Sequence, residues 1–511
     1  MRTNLIQLAC VGLLTAVAAE GFAGDPPRAV QTAALQKCAA LAEAEIGPSA
    51  ACFAAFAEAH PTSEYADLAL FNAAVGFETT GADTAAVDAA KRLVQGYPQS
   101  QHVPGALLVW ADTLEGRGEI EEAVRVRLQL VDRFPQSDDA RDVMQAVVAW
   151  YAVTGDPKRL DAAADKYARN WPRDSEAAWV AATPILARER GCKVVRKRAP
   201  GWLKRWSWSD RSSDKVALRL GRCLAAGGDA KAAHKIFSKV VAAEGDGVLE
   251  ARFRLAELQR SKPRPAPKAG DEAGGKEWVR LRIADASEDA KRYQSVMGHG
   301  GNAGDDGGLR WRLAAAVRLG QVYDDFAEEL GALPVPQALA KDPAAAAVYQ
   351  QAVDDQARPM RQKALETYVS VVTRAGAVAV YDEHIKIARA RLAVLDPGAW
   401  PAPTGTPKLD AAEQPVGTDK EGTKPRYVPQ RALARRALAD GHPERVIYLL
   451  QGLRDDADAL NLYAVAAWRR DSPEVALHLL SVATRLDPTH AAAAANLRAV
   501  RTALGLPSGA Q

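Results

Sequence analysis

Residues 97–137 read YPQSQHVPGALLVWADTLEGRGEIEEAVRVRLQLVDRFPQS and contain one whole repeat between two aromatic–proline–glutamine–serine junctions. A proline that follows a histidine or an aromatic residue recurs every 37 residues, at His60-Pro61, Tyr97-Pro98, Phe134-Pro135 and Trp171-Pro172. Proline cannot continue a helix, and a serine just beyond it can accept hydrogen bonds from the first N–H groups of the next helix. A fixed period of this size is typical of stacked helix-turn-helix units that bury their apolar faces against one another. We therefore predict an all-α solenoid of antiparallel helix pairs.

The residues between the junctions resemble tetratricopeptide repeat (TPR) units on a register of about 34 positions. Glycine stands at each predicted turn, and small or apolar residues stand where the two helices cross. In order along the chain these are Ala73, Ala74, Phe77, Gly81 and Ala86; Trp110, Ala111, Leu114, Gly118 and Ala123; Val147, Val148, Tyr151, Gly155, Leu160 and Tyr167. Leu220, Gly221, Leu224, Gly228, Ala233 and Phe237 form a further unit.

The Tyr-Pro-x-Ser and Phe-Pro-x-Ser junctions at 97–100 and 134–137 resemble those of TPR proteins of Gram-negative envelopes. That group includes the periplasmic TPR partner of the Tol-Pal system and the outer-membrane assembly lipoproteins. Residues 358–397 also resemble part of large TPR proteins of myxobacterial envelopes, including gliding-machinery components, through Ala364, Tyr368, Tyr381, Leu392 and Pro397. The resemblance implies a scaffold of envelope complexes without a catalytic site.

Composition and repeat register divide the chain into several predicted parts. An N-terminal TPR solenoid covers 24–260, and a C-terminal TPR array covers 427–507. Within the solenoid we distinguish capping helices 30–60, regular repeats 61–172, an irregular segment 173–213 and a further repeat 214–260. Between solenoid and array lie a proline- and glycine-rich linker 261–275, an irregular helical block 276–400 and a second linker 401–426.

The first residues predict export to the periplasm. Arg2 precedes an apolar run from Leu5 to Ala18, and small residues that suit signal peptidase stand near Ala18 to Ala23, so we assign 1–23 as a signal peptide. We do not expect a lipid anchor at Cys10, because the usual apolar residue three places before the cysteine is missing. No other stretch approaches the roughly 20 apolar residues of a spanning helix, so we predict no transmembrane span.

The cysteines suggest disulfides, and the charge limits the classes of partner. The remaining cysteines suggest the disulfides Cys38-Cys52 and Cys192-Cys223 in an exported chain, the alternative being buried free thiols. None of these pairs has the spacing of a zinc site. With 66 basic and 63 acidic residues, the balance of charge argues against nucleic acid as a partner.

The sequence contains no pattern typical of a catalytic site. Its 8 histidines are scattered, and no HExxH motif, nucleophile elbow or phosphate-binding loop occurs. The loop around Gly298 and Asp305-Asp306 lacks the alternating oxygen ligands of a calcium site. We predict a protein that is not an enzyme and that carries no cofactor and no metal.

Two surfaces could bind a partner. The first is a groove on the first helices of successive repeats, with Phe71, Val75, Leu108, Asp112 and Gln145 as candidate residues. Its apolar and acidic side chains would suit an extended or helical peptide with basic and apolar residues, such as a segment of an envelope protein. In the alternative, Phe71 and Leu108 pack against the helix of the next repeat.

The second surface is a basic and aromatic patch at 193–208, formed by Arg196, Lys197, Arg198, Trp202, Lys204, Arg205 and Trp206. Arginine and tryptophan together are frequent in interface hot spots and suit polyanions. In the alternative, the tryptophans wedge into the solenoid while the charges extend to solvent. The sequence thus supports two functions: a periplasmic protein-binding scaffold, or an envelope protein that binds lipopolysaccharide or another anionic glycan through the patch.

Overall fold

In the computed structural model of this protein, the described residues are 27–171, 192–204, 211–268, 272–299, 306–403, 406–411 and 428–507. The regular elements in these ranges are helices, and the predicted TPR-type α-solenoid fold is confirmed. The predicted signal peptide with Cys10 and its cleavage region lies outside the described residues. The chain divides into unit 1, residues 1–151 with 165–172, and unit 2, residues 152–164 with 173–511.

Helices α1 to α8 form unit 1, with α7 and α8 crossing its boundary. They are α1 Arg28–Ala44, α2 Ile46–Ala59, α3 Ala66–Thr80, α4 Asp83–Gly96, α5 Val103–Gly116, α6 Ile120–Arg133, α7 Ala140–Thr154 and α8 Pro157–Asn170. From α1 to α6 each helix packs on the next, and α3 also contacts α5, the first helix of the following repeat. Phe53, Leu70, Leu93, Leu107 and Leu130 are buried along this stack.

The turns inside the repeats depend on glycine. Gly81, Gly118 and Gly155 have φ of 74°, 79° and 75°, in the left-handed region where other residues are strained. Each lets the chain reverse within a few residues, so that the second helix of a repeat returns along the first.

The serines of the junctions act in the turn and not at the helix cap. Ser63 and Ser100 donate their N–H groups to the carbonyls of His60 and Tyr97 at 3.1 and 3.0 Å. Their side-chain oxygens accept from the backbone N–H two residues later, at 3.1 and 3.0 Å. The helices that follow have no side-chain cap. We expected a helix cap; the serine side chain instead closes the turn before the helix.

Unit 2 contains the remaining described helices. They are α9 Lys193–Leu203, α10 Arg211–Ala226, α11 Ala230–Ala243, α12 Val248–Gln259, α13 Glu272–Met297, α14 Asp306–Gly331, α15 Gln337–Ala340, α16 Pro343–Ala377, α17 Glu383–Leu395, α18 Val428–Ala439, α19 Pro443–Leu450, α20 Ala457–Arg469, α21 Pro473–Leu486 and α22 Ala491–Ala503. Gly228 and Gly441 repeat the left-handed turn, and Asp471, with φ 54°, takes the glycine position in the array. Among the described helices, none combines the length with the apolar composition that a membrane-spanning helix needs.

Two disulfides fasten helix pairs. Cys38 of α1 is bonded to Cys52 of α2 with Cα atoms 5.4 Å apart, and Cys192 before α9 is bonded to Cys223 of α10 at 5.0 Å. Both are the pairings that the sequence suggests. Each closes a short loop and so limits the conformations of the unfolded chain.

The helical block and the C-terminal array share one hydrophobic core. Val317, Tyr368 and Leu392 of the block belong to the same apolar cluster as Leu462 and Leu480 of the array. The predicted linker 401–426 therefore separates the block from the array along the sequence, but the side chains of both pack in one core. Leu409, inside that predicted linker, is buried in the same cluster with 7% of its surface exposed.

Candidate functional site

The predicted N-terminal groove residues lie on the first helices of the repeats, ten positions or fewer before the turn glycine. Phe71 is half-buried and stacks on His102 with ring centroids 5.3 Å apart. A Cβ on Gly105 would lie 2.7 Å from the Phe71 ring, so only glycine leaves room for it. Phe71 thus packs against the first helix of the next repeat, which is the alternative that the sequence left open. Val75 and Leu108 are half-buried.

The polar residues of this groove serve the repeats themselves. Arg127 of α6, whose side chain is 7% exposed, lies 3.1 Å from Asp112 and 2.5 Å from Glu115. Gln145 donates to the hydroxyl of Tyr167 at 3.0 Å. The acidic charge that we expected to attract a basic peptide is therefore offset by a guanidinium within the same repeat.

The basic patch is described only in part. Arg196, Lys197 and Lys204 are exposed on or beside α9, and Arg198 forms an ion pair with Asp161 at 3.2 Å. The opposite side of α9 is buried in a core with α10 and α11. Arg205, Trp206 and the side chain of Trp202 lie outside the described residues, so the position of the tryptophans stays a prediction.

In the C-terminal array, a polar side chain stands at the position that Phe71 occupies in its repeat. Asn461 lies ten residues before the left-handed turn at Asp471, as Phe71 lies ten before Gly81. Asn461 is 0% exposed, and Asn496 on α22 is 3% exposed. The Asn496 amide donates to the Asn461 side-chain oxygen at 2.9 Å. Two buried carboxamides are thus linked across successive first helices.

These asparagines bind an extended segment of the chain itself, residues 406–411, which we call the strap. Asn496 accepts the Asp410 backbone N–H at 2.7 Å and donates to the Asp410 carbonyl at 2.7 Å. Asn461 donates to the same carbonyl at 3.3 Å. Leu409 is buried, while the side chains of Lys408 and Asp410 are exposed. The array therefore binds backbone groups at Asp410, and the apolar side chain of the residue before it is buried in the core that the block and the array share.

A compensated charge cluster lies beside the asparagines. Arg431 lies 3.4 Å from Asp456 and 3.6 Å from Asp458, and Arg435 forms an ion pair with Asp458. His490 accepts the Ala493 N–H through Nδ1 at 3.1 Å, and its Nε2 lies 3.7 Å from Asp458. Two guanidinium groups face two carboxylates, so this part of the array carries little net charge. It suits a neutral peptide backbone better than a strongly charged ligand.

Arg389 fixes the chain just before the strap. It is 4% exposed and donates to the carbonyls of Gly505 at 2.8 Å, Trp400 at 3.2 Å and Pro401. Its guanidinium also lies 5.4 Å from the Trp400 ring centroid. Burial lowers the pKa of Arg389 from its ordinary value, a cost that these interactions offset. One side chain thus connects α17, the approach to the strap and the end of α22.

The sequence predicts the groove in residues 61–172, and the strap lies in a segment that it predicts as a linker. Two signals are present in the sequence: Asn461 and Asn496 stand 35 residues apart on successive first helices, and Leu409 is an apolar residue in a polar segment. Among the described residues, no group of three or more His, Cys, Asp or Glu side chains could hold a metal ion.

No family model matches this chain, and no curated protein matches it. Among solved structures, it is similar to Naa15/Naa10 bound to HypK-THB, with 13% identity and a TM-score of 0.37, covering 92% of this chain and 66% of that chain. It is also similar to yeast Tom70, with 11% identity, a TM-score of 0.21 and coverage of 93% and 88%.

A third similar structure is an enzyme, the 70-kDa soluble lytic transglycosylase with bulgecin A, at 13% identity and a TM-score of 0.23. The match covers 89% of this chain and 66% of the transglycosylase chain. This chain thus spans just under two thirds of the length of two of these proteins. At such low scores, the solved structures assign it neither a function nor a partner.

Proposed function

We propose that this protein is a non-catalytic scaffold that binds extended segments of other proteins in the groove of its C-terminal array. The observation that carries the proposal is the two-point hydrogen bonding of the Asp410 backbone by Asn496, joined by Asn461. The same helix face that packs repeats together in unit 1 here holds an extended peptide.

The contacts are those of a peptide-binding groove. Hydrogen bonds to backbone groups give affinity with little dependence on sequence, and a pocket for one side chain gives specificity. Each hydrogen bond contributes about 1 kcal/mol net. Full burial of a leucine contributes roughly 1.5–3 kcal/mol. A segment of a few residues therefore binds with moderate strength, as suits a scaffold that exchanges partners.

We further propose that the protein works in the periplasm, in a complex of the cell envelope. The apolar run from Leu5 to Ala18 after Arg2 supports export. The two disulfides support an oxidising compartment, because cytosolic proteins rarely keep such bonds.

Photo-crosslinking in the native host tests this function. A photoreactive amino acid is placed at Ala495, which is exposed beside Asn496, at Gln145 on α7, and at Val348, which is 71% exposed, as the control. We expect Ala495 to capture a reproducible set of envelope proteins that Val348 does not capture. Capture of the same proteins from all three positions, or of none from Ala495, would contradict the proposal.

The exposure of Arg196, Lys197 and Lys204 favours a second candidate function, binding of an anionic glycan. Arg198 is a poor test position, since its charge is already offset by Asp161. The variant Arg196→Glu/Lys197→Glu should abolish retention on immobilised lipopolysaccharide, and retention by the wild type should fall steeply with salt. Retention that is independent of both salt and these residues would end this candidate.

A further inference from the structure

The groove of the C-terminal array is occupied by the chain itself. We propose that the strap is a built-in ligand, which a partner segment must displace in order to bind. This inference rests on the proposed function and adds the chemistry of the partner. The partner segment is extended, carries an apolar anchor such as leucine, and has a residue other than proline directly after the anchor.

The strap is held by one apolar side chain and by backbone hydrogen bonds at the next residue. Leu409 is its one fully buried side chain, and Asp410 contributes backbone atoms to both asparagines. Thr406, Lys408 and Asp410 are exposed, and Pro407 and Ala411 are half-buried. The hydrogen bonds to the asparagines are made by backbone atoms, and every residue except proline provides both of them. A segment from another protein with an apolar residue at the position of Leu409 can therefore make the same hydrogen bonds.

The hydrogen bonds define the partner's requirements. Asn496 needs both a donor N–H and an acceptor carbonyl at the residue after the anchor, and proline has no N–H. The neighbouring arginines are already paired with Asp456 and Asp458, so the groove does not select strongly for charge. The anchor pocket and the backbone contacts, and not electrostatics, set the specificity.

A tethered ligand competes at a high effective concentration, typically in the millimolar range for a short flexible connection. The apparent affinity for an outside segment is the intrinsic affinity multiplied by the fraction of molecules whose groove is free. If the strap occupies the groove in nine of ten molecules, releasing it raises the affinity about tenfold.

The test titrates a fluorescently labelled peptide of residues 403–414, PTGTPKLDAAEQ, into the full chain and follows its anisotropy. Two variants release the strap by different means. Leu409→Asp removes the anchor, and Asp410→Pro removes the N–H that Asn496 accepts while leaving the buried leucine. We expect both to bind the peptide at least about tenfold more tightly than the wild type. The peptide carrying Leu409→Asp, as control, should not bind.

Circular dichroism separates the outcomes. Equal affinity of wild type and released variants would overturn the proposal, as would folded released variants that bind no peptide. If both variants lose their helical signal, the strap is a structural part of the core and the proposal is likewise overturned. Adding Asn496→Ala to Asp410→Pro should abolish peptide binding. Partner capture in cells does not enter this test, so the scaffold function and the built-in ligand can fail separately.

Discussion

The N-terminal repeats and the C-terminal array use one helix face in opposite ways. Ten residues before the left-handed turn, unit 1 has Phe71, which fills the space beside Gly105 of the next repeat. The array has Asn461 at that position, and it hydrogen-bonds an extended segment. The register fixes which positions face the groove, but the residue type decides whether they hold the stack together or hold a ligand.

The largest expected effect comes from Arg389 of α17, which connects the approach to the strap with the end of α22 in the array. In Arg389→Ala the carbonyls of Gly505, Trp400 and Pro401 lose their donor inside the protein, and we expect a loss of about 4 kcal/mol in the free energy of unfolding. Denaturant unfolding followed by circular dichroism measures it. Arg498→Ala, on an exposed residue of α22, is the matched control and should change stability by less than about 0.5 kcal/mol. Equal effects of the two would contradict this role.

The unit 1 side of the comparison is tested by Phe71→Ala. The variant leaves a gap between α3 and α5, and we expect it to cost about 3 kcal/mol, the lower end for phenylalanine because the ring is half-buried. Thermal unfolding measures the cost. Binding of the 403–414 peptide to the Asp410→Pro protein should not change, since Phe71 is a packing residue. A stable Phe71→Ala protein with weakened peptide binding would move the groove back to unit 1.

Four helices of unit 2 begin differently from α3 to α6 of unit 1. Helices α3 to α6 have no side-chain cap, whereas aspartates cap α11, α16, α17 and α20, namely Asp229, Asp342, Asp382 and Asp456. Burial opposes the charged form of Asp382, but hydrogen bonding from His384 and the Arg310 guanidinium outweigh it and hold its pKa at about 2. A carboxylate cap can be lost by protonation, and a backbone turn cannot.

Acid should therefore weaken α17 of unit 2 while leaving α3 and α5 of unit 1 unchanged. Because the folded pKa of Asp382 lies below the unfolded value, its contribution is present above about pH 4 and is lost as the pH falls towards 2. The loss is about 2 kcal/mol from this group. Hydrogen exchange at pH 5 and pH 3, corrected for intrinsic rates, should show α17 opening while α3 and α5 stay protected. In Asp382→Asn the pH-dependent part at α17 should shrink; unchanged pH dependence would contradict the assignment.

The smallest expected effect concerns one hydrogen bond of the groove. Asn461→Ala in the Asp410→Pro background removes the longer of the contacts to the peptide carbonyl, and we expect peptide affinity to fall about tenfold. The exposed Lys408→Ala peptide is the comparison and should bind like the original. Anisotropy titration measures both, and equal loss from the two changes would show that the contacts are not specific.

Much of the fold could be predicted from local chemistry. The prolines at 61, 98 and 135 and the turn glycines at 81, 118 and 155 restrict the backbone wherever they occur, so their period alone indicates stacked helix pairs. The site could not be located in the same way. Whether Phe71 is a binding residue or a packing residue depends on the space beside Gly105, which belongs to another repeat.

The strap was harder still to predict. Leu409 lies in a proline-rich, polar stretch that has the composition of a linker. Leu409 is buried in the core that the block and the array share, and the next residue, Asp410, is bound by asparagines that follow it by 51 and 86 residues. Local propensity carries no information about such distant pairing.

The most direct test of the central comparison is a hydrogen-exchange footprint of the 403–414 peptide on the full-length Asp410→Pro protein. Our account predicts that the peptide slows exchange in α20 and α22 and leaves α3 and α5 unchanged. Protection in α3 and α5 without protection in α20 and α22 would contradict it, and would return the binding face to the N-terminal repeats.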